Sequence, residues 1–240
     1  MSETSEHLVK SYDTELKRLH AMMAEMGGIV ETQLMQATTA ILDHDAAAAT
    51  HVVEDDVKVD ALERAIEQFV IRLLALRQPM AADLRHIVAA LKITGDLERI
   101  GDYAANVAKR CIALTQFALT YPMTGLRHMG QRVQAQIQLV IDAAGTDDAE
   151  KAVRVWRGDE AIDDIYNTLF RELVTYMMED PRNITPCTHL LFIAKNIERI
   201  GDHTTNIAET IHYAVKGEVL PDTRPKGDAS AFMVVRPAGD

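Results

Sequence analysis

The pentapeptide Glu98-Arg99-Ile100-Gly101-Asp102 returns one hundred residues later as Glu198-Arg199-Ile200-Gly201-Asp202. Asn106 and Ala108 recur in register as Asn206 and Ala208, and Leu97/Ile197 and Val107/Ile207 are near-equivalent exchanges. A match of this length is an internal duplication, and a duplicated chain folds as two copies of one supersecondary unit. The copying extends beyond the pentapeptide. Asp45 and Asp148 each open a long amphipathic stretch that stops near a proline, Pro79 or Pro181, where a missing N–H and a ring clash end a helix. Val59, Leu62, Ile66, Val70 and Leu73 give the first stretch a helical stripe, which 103 residues later reads Ile162, Ile165, Leu169, Leu173 and Tyr176.

The pentapeptide helices keep a four-three apolar spacing. Ile93, Leu97, Ile100, Ala104, Val107, Cys111 and Leu114 in one match Ile193, Ile197, Ile200, Thr204, Ile207, Ile211 and Ala214 in the other, the pattern of a seam inside a bundle. Each half also begins with a helix of its own, over residues 7–42 and 126–144, and Gly27-Gly28 marks a kink or a close contact in the first. The expected fold is all-α: two tandem pseudo-symmetric three-helix bundles, residues 1–120 and 121–217, then a loose tail at 218–240. Only 5% of residues are aromatic while 48% are hydrophobic, which fits helix formers packed in a core. The net charge of −11 argues against non-specific attraction to nucleic acid or to an anionic bilayer. No apolar run nears the roughly 18 residues that span a membrane, so direct insertion is not expected, and residues 1–10 lack the apolar core of a signal peptide. Cys111 and Cys187, without a CxxC, read as core thiols of a cytoplasmic protein.

With the apolar stripe at the seam, Glu98, Asp102 and Asn106 form an oxygen-rich column on the far side of their helix, and Glu198, Asp202 and Asn206 repeat it. The preceding helix of each half carries a matching pair, Asp56 with Asp60 and Asp159 with Asp163. Facing columns would give each half four carboxylates and an amide, which repel unless a cation or full hydration separates them. One acidic i,i+4 pair is ordinary helix surface in a chain with 36 acidic residues. Recurrence in both halves favours an oxygen-ligand metal site over a duplicated solvated face. So do Gly101 and Gly201 between the acids, since a helical Gly costs about 1 kcal/mol relative to Ala and needs a packing or ligand reason. Oxygen donors suit Mg, Ca or Mn, and carboxylate bridges suit iron, so Mg, Mn, Fe or Zn are the candidate ions.

Other patterns weigh less. Glu209-x-x-His212 is half of a di-iron motif, but Ile112 stands at the matching first-half position. Met22, Met23 and Met26 read as flexible core filler. Asp83-x-Arg85, Arg99 and Arg199 are expected to form ion pairs within their bundles. No phosphate loop, catalytic triad or nucleophile motif appears, so no catalytic residue is assigned.

Two halves each ending in Glu-Arg-Ile-Gly-Asp…Asn closely resemble the PhoU family of bacterial phosphate-signalling proteins. Met26-Gly27-Gly28, Gln78-Pro79, Asp83-Leu84-Arg85, the run Met177–Asn183 and Val215-Lys216-Gly217 add to the match, which covers roughly residues 7–217. The resemblance implies a cytoplasmic, commonly dimeric regulator. It implies that phosphate sufficiency is relayed from a Pst-type phosphate ABC transporter, with its ATPase, to a sensor histidine kinase, repressing phosphate-starvation genes. It also implies that Asp56/Asp60, Glu98/Asp102, Asp159/Asp163 and Glu198/Asp202 are the family's metal-binding pairs. Two function classes remain: a non-enzymatic regulator that binds partners through helical faces, and a carboxylate-bridged metal-dependent helical-bundle enzyme. The first is favoured because nothing in the sequence stands out as a nucleophile or general base beside the carboxylates.

Overall fold

A computed structural model describes residues 3–77, 79, 82–117, 121 and 123–221, with side chains from residue 14 onward except that of residue 82. All regular structure among them is helical. The first half contributes α1 (Glu3–Asp43), α2 (Ala46–Arg77) and α3 (Ala82–Leu114). The second contributes α4 (Thr124–Thr146), α5 (Ala149–Arg157), α6 (Glu160–Glu179) and α7 (Ile184–Lys216), the last entered through a short 3₁₀ turn at Pro181–Asn183.

The duplication sets the turns as well as the helices. His44 and Asp147 adopt left-handed φ of 55° and 49°, reversing the chain, and the aspartate that follows each one caps the next helix. Asp45 Oδ1 accepts from the backbone N–H groups of Ala47 and Ala48 at 2.9 Å. Asp148 Oδ1 accepts from Glu150 at 3.0 Å and Lys151 at 2.9 Å. Each cap satisfies two of the donors that a helix start leaves open, a contribution of about 1 kcal/mol. At the far end, Gly217 closes α7 with φ 74° and donates to Tyr213 O at 2.8 Å, the usual role of glycine past a helix C-terminus.

One expected element is split. The stripe from residue 148 to 180 predicts a single helix like α2, yet the chain breaks at Gly158-Asp159 into α5 and α6. Gly158 N–H is shared between Arg154 O and Val155 O, the tightened geometry of a helix end, and Gln136 Nε2 sits 2.7 Å from where a Cβ would project. Glycine has little helical preference to resist this, whereas Asp55 at the corresponding first-half position leaves α2 continuous.

The two tandem helical bundles pack on each other and share a single hydrophobic core. Repeat helices α3 and α7 form the most extensive pairing in the molecule. They run antiparallel: Arg85 meets Ala214, Asp96 meets His203 and Asn206, Tyr103 meets Arg199, and Arg110 meets Phe192. Gly101 and Gly201 lie level with the midpoint, so a pseudo-twofold axis passes between the two pentapeptides. The α1–α4 crossing obeys the same axis. The Gly27 backbone lies directly under Ile141, and Gly130 lies under Thr38, whose Cγ2 is 2.8 Å from an added Cβ. Gly27 is therefore a close-contact glycine in an unbroken α1, not a kink. Arg85 and Arg199 likewise make contacts between halves, whereas Arg99 forms the expected local ion pairs with Glu98 at 3.5 Å and Asp102 at 3.1 Å.

Past Gly217 the chain stays in contact with the helices. Glu218 O meets His212 Nδ1 at 3.0 Å and Leu220 packs on the core. The tail's apolar run Phe232-Met233-Val234-Val235 lies outside the described residues, as do Gln78 and Pro122.

Candidate functional site

In the first half, α2 and α3 lie antiparallel with their acidic columns facing. Asp56 and Asp60 on α2 stand opposite Asp102 and Glu98 on α3, and Glu63, one turn further along α2, joins them. Burial, together with repulsion from Asp102 and Asp60, holds the Asp56 carboxyl above its ordinary range against the opposing Gln33 hydrogen bond and Lys109. Burial and then Asp102 do the same to Glu98, with Arg99 opposing and Glu63 and Asp60 adding. Glu63 is raised by burial, then by Glu67 and Asp60. The groove is thus a cluster of carboxylates whose nearby cations, Arg64, Arg99 and Lys109, are all exposed.

Gln33 of α1 forms the floor. It is 2% exposed, its Nε2 donates to Asp56 Oδ1 at 3.4 Å, and its Oε1 is buried without a hydrogen-bond partner. Gly101 leaves room for this arrangement, because a Cβ there would stand 3.2 Å from Asp56 Oδ1 and 3.3 Å from Gln33 Oε1. Gly201 packs in the same way against Ile162, 3.1 Å from an added Cβ. The glycine between the acids therefore has a packing reason in both halves.

The second half holds the same positions in different surroundings. Asp159, Asp163 and Glu198 are buried, 2%, 3% and 4% exposed, so they do not lie off the core as the spacing predicts. The break before Asp159 lets its side chain turn inward, where Thr205 Oγ1 donates to Asp159 Oδ1 at 3.2 Å. Glu198 Oε1 accepts from Lys195 Nζ at 2.9 Å, and that ammonium also lies 4.9 Å from the centre of the Tyr166 ring. Gln136, the counterpart of Gln33, accepts through Oε1 from Thr204 Oγ1 at 3.2 Å.

Asn206 does not complete the second-half column, and Asn106 is offset from Glu98 by the same helical geometry. Each step of four residues advances about 40° around a helix, so the asparagine lies about 80° from the glutamate two steps back. Asn206 Nδ2 accordingly faces the α3–α7 seam and donates to Asp96 Oδ1 at 3.5 Å, beside the 2.7 Å His203–Asp96 contact. The di-iron pattern is also committed elsewhere: Glu209 Oε1 accepts from Trp156 Nε1 at 3.0 Å, and His212 turns to Glu218. Both cysteines are buried, and burial pushes the Cys111 thiol up to about 11.

Among the described residues no three His, Cys, Asp or Glu side chains converge on one point as they stand. The donor chemistry of the first-half groove nevertheless fits an oxygen-preferring cation. Its carboxylates repel one another, its buried Gln33 Oε1 lacks a donor, and Asp60, Glu98 and Asp102 are only partly buried. The second-half groove fits poorly, since Lys195 already supplies positive charge there. Sequence reasoning missed Gln33, Glu63, Lys195, Tyr166, Thr204 and Thr205. Aligning the halves position by position carries the signal: Gln33/Gln136 repeat, while Glu63/Tyr166, Gly95/Lys195, Ala104/Thr204 and Ala105/Thr205 diverge.

The family model for the PhoU domain matches residues 23–111 and again 126–211, one match to each half. The chain is 52% identical over 225 residues to a phosphate-specific transport system accessory protein PhoU homolog of Caulobacter vibrioides, covering 93% of this chain and 98% of that one. A Rhizobium meliloti protein of the same description is 47% identical over 95% of this chain and 96% of its own length. The crystal structure of PhoU from Pseudomonas aeruginosa superposes with a TM-score of 0.84 at 41% identity, covering 86% of this chain and all of that one. That of the phosphate transport system regulatory protein PhoU from Streptococcus pneumoniae gives 0.82 at 30% identity, covering 88% of this chain and 99% of that one.

Proposed function

Because the chain belongs to the PhoU family, we propose that it is a regulatory accessory protein of a phosphate uptake system. The observation that carries this reading is the 52% identity to a phosphate-specific transport system accessory protein over nearly the whole of both chains. The finer assignment follows the family resemblance. The protein links a Pst-type phosphate ABC transporter, through its ATPase, to a sensor histidine kinase and represses phosphate-starvation genes when phosphate is plentiful. It works in the cytoplasm, as a homodimer, without turnover of its own. Among the described residues no helix is long and apolar enough to cross a membrane, so contact with the transporter would be made through helical faces.

Cation binding belongs to the same reading. Asp56, Asp60, Glu98 and Asp102 would hold a divalent or ferric ion, and neutralising their repulsion would stiffen the α2–α3 groove. Asp159, Asp163, Glu198 and Asp202 form the corresponding set, partly neutralised by Lys195. The alternative of a carboxylate-bridged enzyme gains no support from the geometry, in which Glu209 is bonded to Trp156 and the thiols are buried.

Deletion of the gene tests the regulatory role. Phosphate-starvation genes should switch on in phosphate-rich medium and be silenced again by the wild-type gene. Unchanged repression in the deletion strain would sink the reading.

A further inference from the structure

We infer that the two repeat-related carboxylate grooves have diverged: the first half is the cation site, and in the second half Lys195 acts as a built-in counter-cation. This rests on the cation-binding part of the proposed function and assigns the ion to one half.

Three donors of the second-half groove have no counterpart in the first. Lys195 Nζ pairs with Glu198 at 2.9 Å, Thr204 Oγ1 is shared between Gln136 Oε1 at 3.2 Å and Gly201 O at 2.6 Å, and Thr205 Oγ1 between Asp159 Oδ1 at 3.2 Å and Gly201 O at 3.1 Å. The equivalent first-half positions are Gly95, Ala104 and Ala105, none of which carries a polar side-chain atom. The paired glutamines differ accordingly: Gln136 Oε1 has the Thr204 hydroxyl within reach, while the buried Gln33 Oε1 has no donor. Glu63 in place of Tyr166 adds a further negative charge where the second half places a ring against its lysine. The first-half groove, whose nearby cations Arg64, Arg99 and Lys109 are all exposed, therefore lacks the partly buried lysine that the second half places on its glutamate. An ion entering the second half would have to displace Lys195 from a buried glutamate or sit beside it, and like charges at that range repel.

Gly95 allows a direct test, because nothing stands within 4 Å of a Cβ added there, so a side chain fits without repacking. Mn²⁺ alone is the probe, titrated into metal-stripped full-length protein and followed by calorimetry and by the EPR signal of the free ion. Wild type should show one class of site, confined to the first half. Gly95→Lys should weaken it at least about tenfold, as should Glu98→Gln with Asp102→Asn, whereas Glu198→Gln should leave it intact. Lys195→Ala should lower the apo melting temperature, gain a second Mn²⁺ site and recover stability on binding. Should that variant not fold, Gly95→Lys still decides the matter. Two equal sites in wild type, or undiminished binding in Gly95→Lys, overturns the divergence while leaving cation binding in place. An absence of Mn²⁺ binding from wild type and Lys195→Ala alike removes the cation reading and this inference together.

Discussion

At the scale of single residues, the first-half groove costs the metal-free protein stability. Asp56, Glu63 and Glu98 all titrate above their ordinary range, with burial the first cause. A carboxyl whose folded pKa is raised holds its proton longer in the native state than in the unfolded one. Stability is therefore lost as pH rises from the ordinary carboxylate range through the raised value, and the full loss persists above it. Glu98→Gln removes that penalty at the expense of the half-exposed Arg99 pair, which is worth little. The metal-stripped variant should melt a few degrees higher than wild type at pH 7, with the gap closing toward pH 4. Melting curves across that range check it, and a gap that widens on acidification would contradict the assignment. Cys111 gives a second test, since burial lifts its thiol to about 11 and leaves little thiolate at pH 8. Alkylation of the folded protein at Cys111 should be far slower than after unfolding, as thiol mass labelling would show.

Among the elements, α1 is the one whose glycines do different jobs. A side chain at Gly27 would overlap Ile141 of α4, whereas Gly28 faces open space with nothing within 4 Å of an added Cβ. Gly27→Ala should therefore cost about 1–3 kcal/mol through forced separation of α1 and α4. Gly28→Ala should gain about 0.5–1 kcal/mol from helix propensity and a less flexible unfolded chain. Urea unfolding of the two variants separates them, and equal effects would mean that the α1–α4 contact is looser than described. Gly158 is a third kind, ending α5 so that Asp159 can turn into the core. Periodicity could not foresee this break, because the apolar stripe continues through it at Val155 and Ile162.

For the whole molecule, the pairing of α3 with α7 decides how it unfolds. The central helices share one core, and Asp96, His203, Tyr103, Arg199 and Asn206 tie them across the pseudo-twofold axis. Separating the halves would expose the inner faces of both helices, and each fully buried Leu or Ile is worth about 1.5–3 kcal/mol. The halves should accordingly unfold together. Trp156, the sole tryptophan, reports on the second half, while far-UV circular dichroism reports on all helices. The two signals should give coincident urea transitions. A helical transition that runs ahead of the fluorescence would reveal a first half that unfolds by itself.

The duplication, the helices apart from the break at Gly158, the helix-opening aspartates and the pairing of Asp56 with Asp60 and of Glu98 with Asp102 on their own helices were legible in the residues. Each depends on spacing along one helix or on local backbone chemistry, which sequence carries directly. Burial was not legible in this way. Glu98 and Glu198 are the same residue in the same pentapeptide, yet one is half-buried and the other buried against Lys195. Their difference comes from partners on other helices and from the break at Gly158, which turns Asp159 inward. The antiparallel fit of α3 to α7 likewise took Asn206 out of the acidic column, since an amide about 80° around the helix serves whichever neighbour lies there. Local periodicity fixed which residues share a helix face; only the packing of that face against others decided which carboxylates meet water and which meet a lysine.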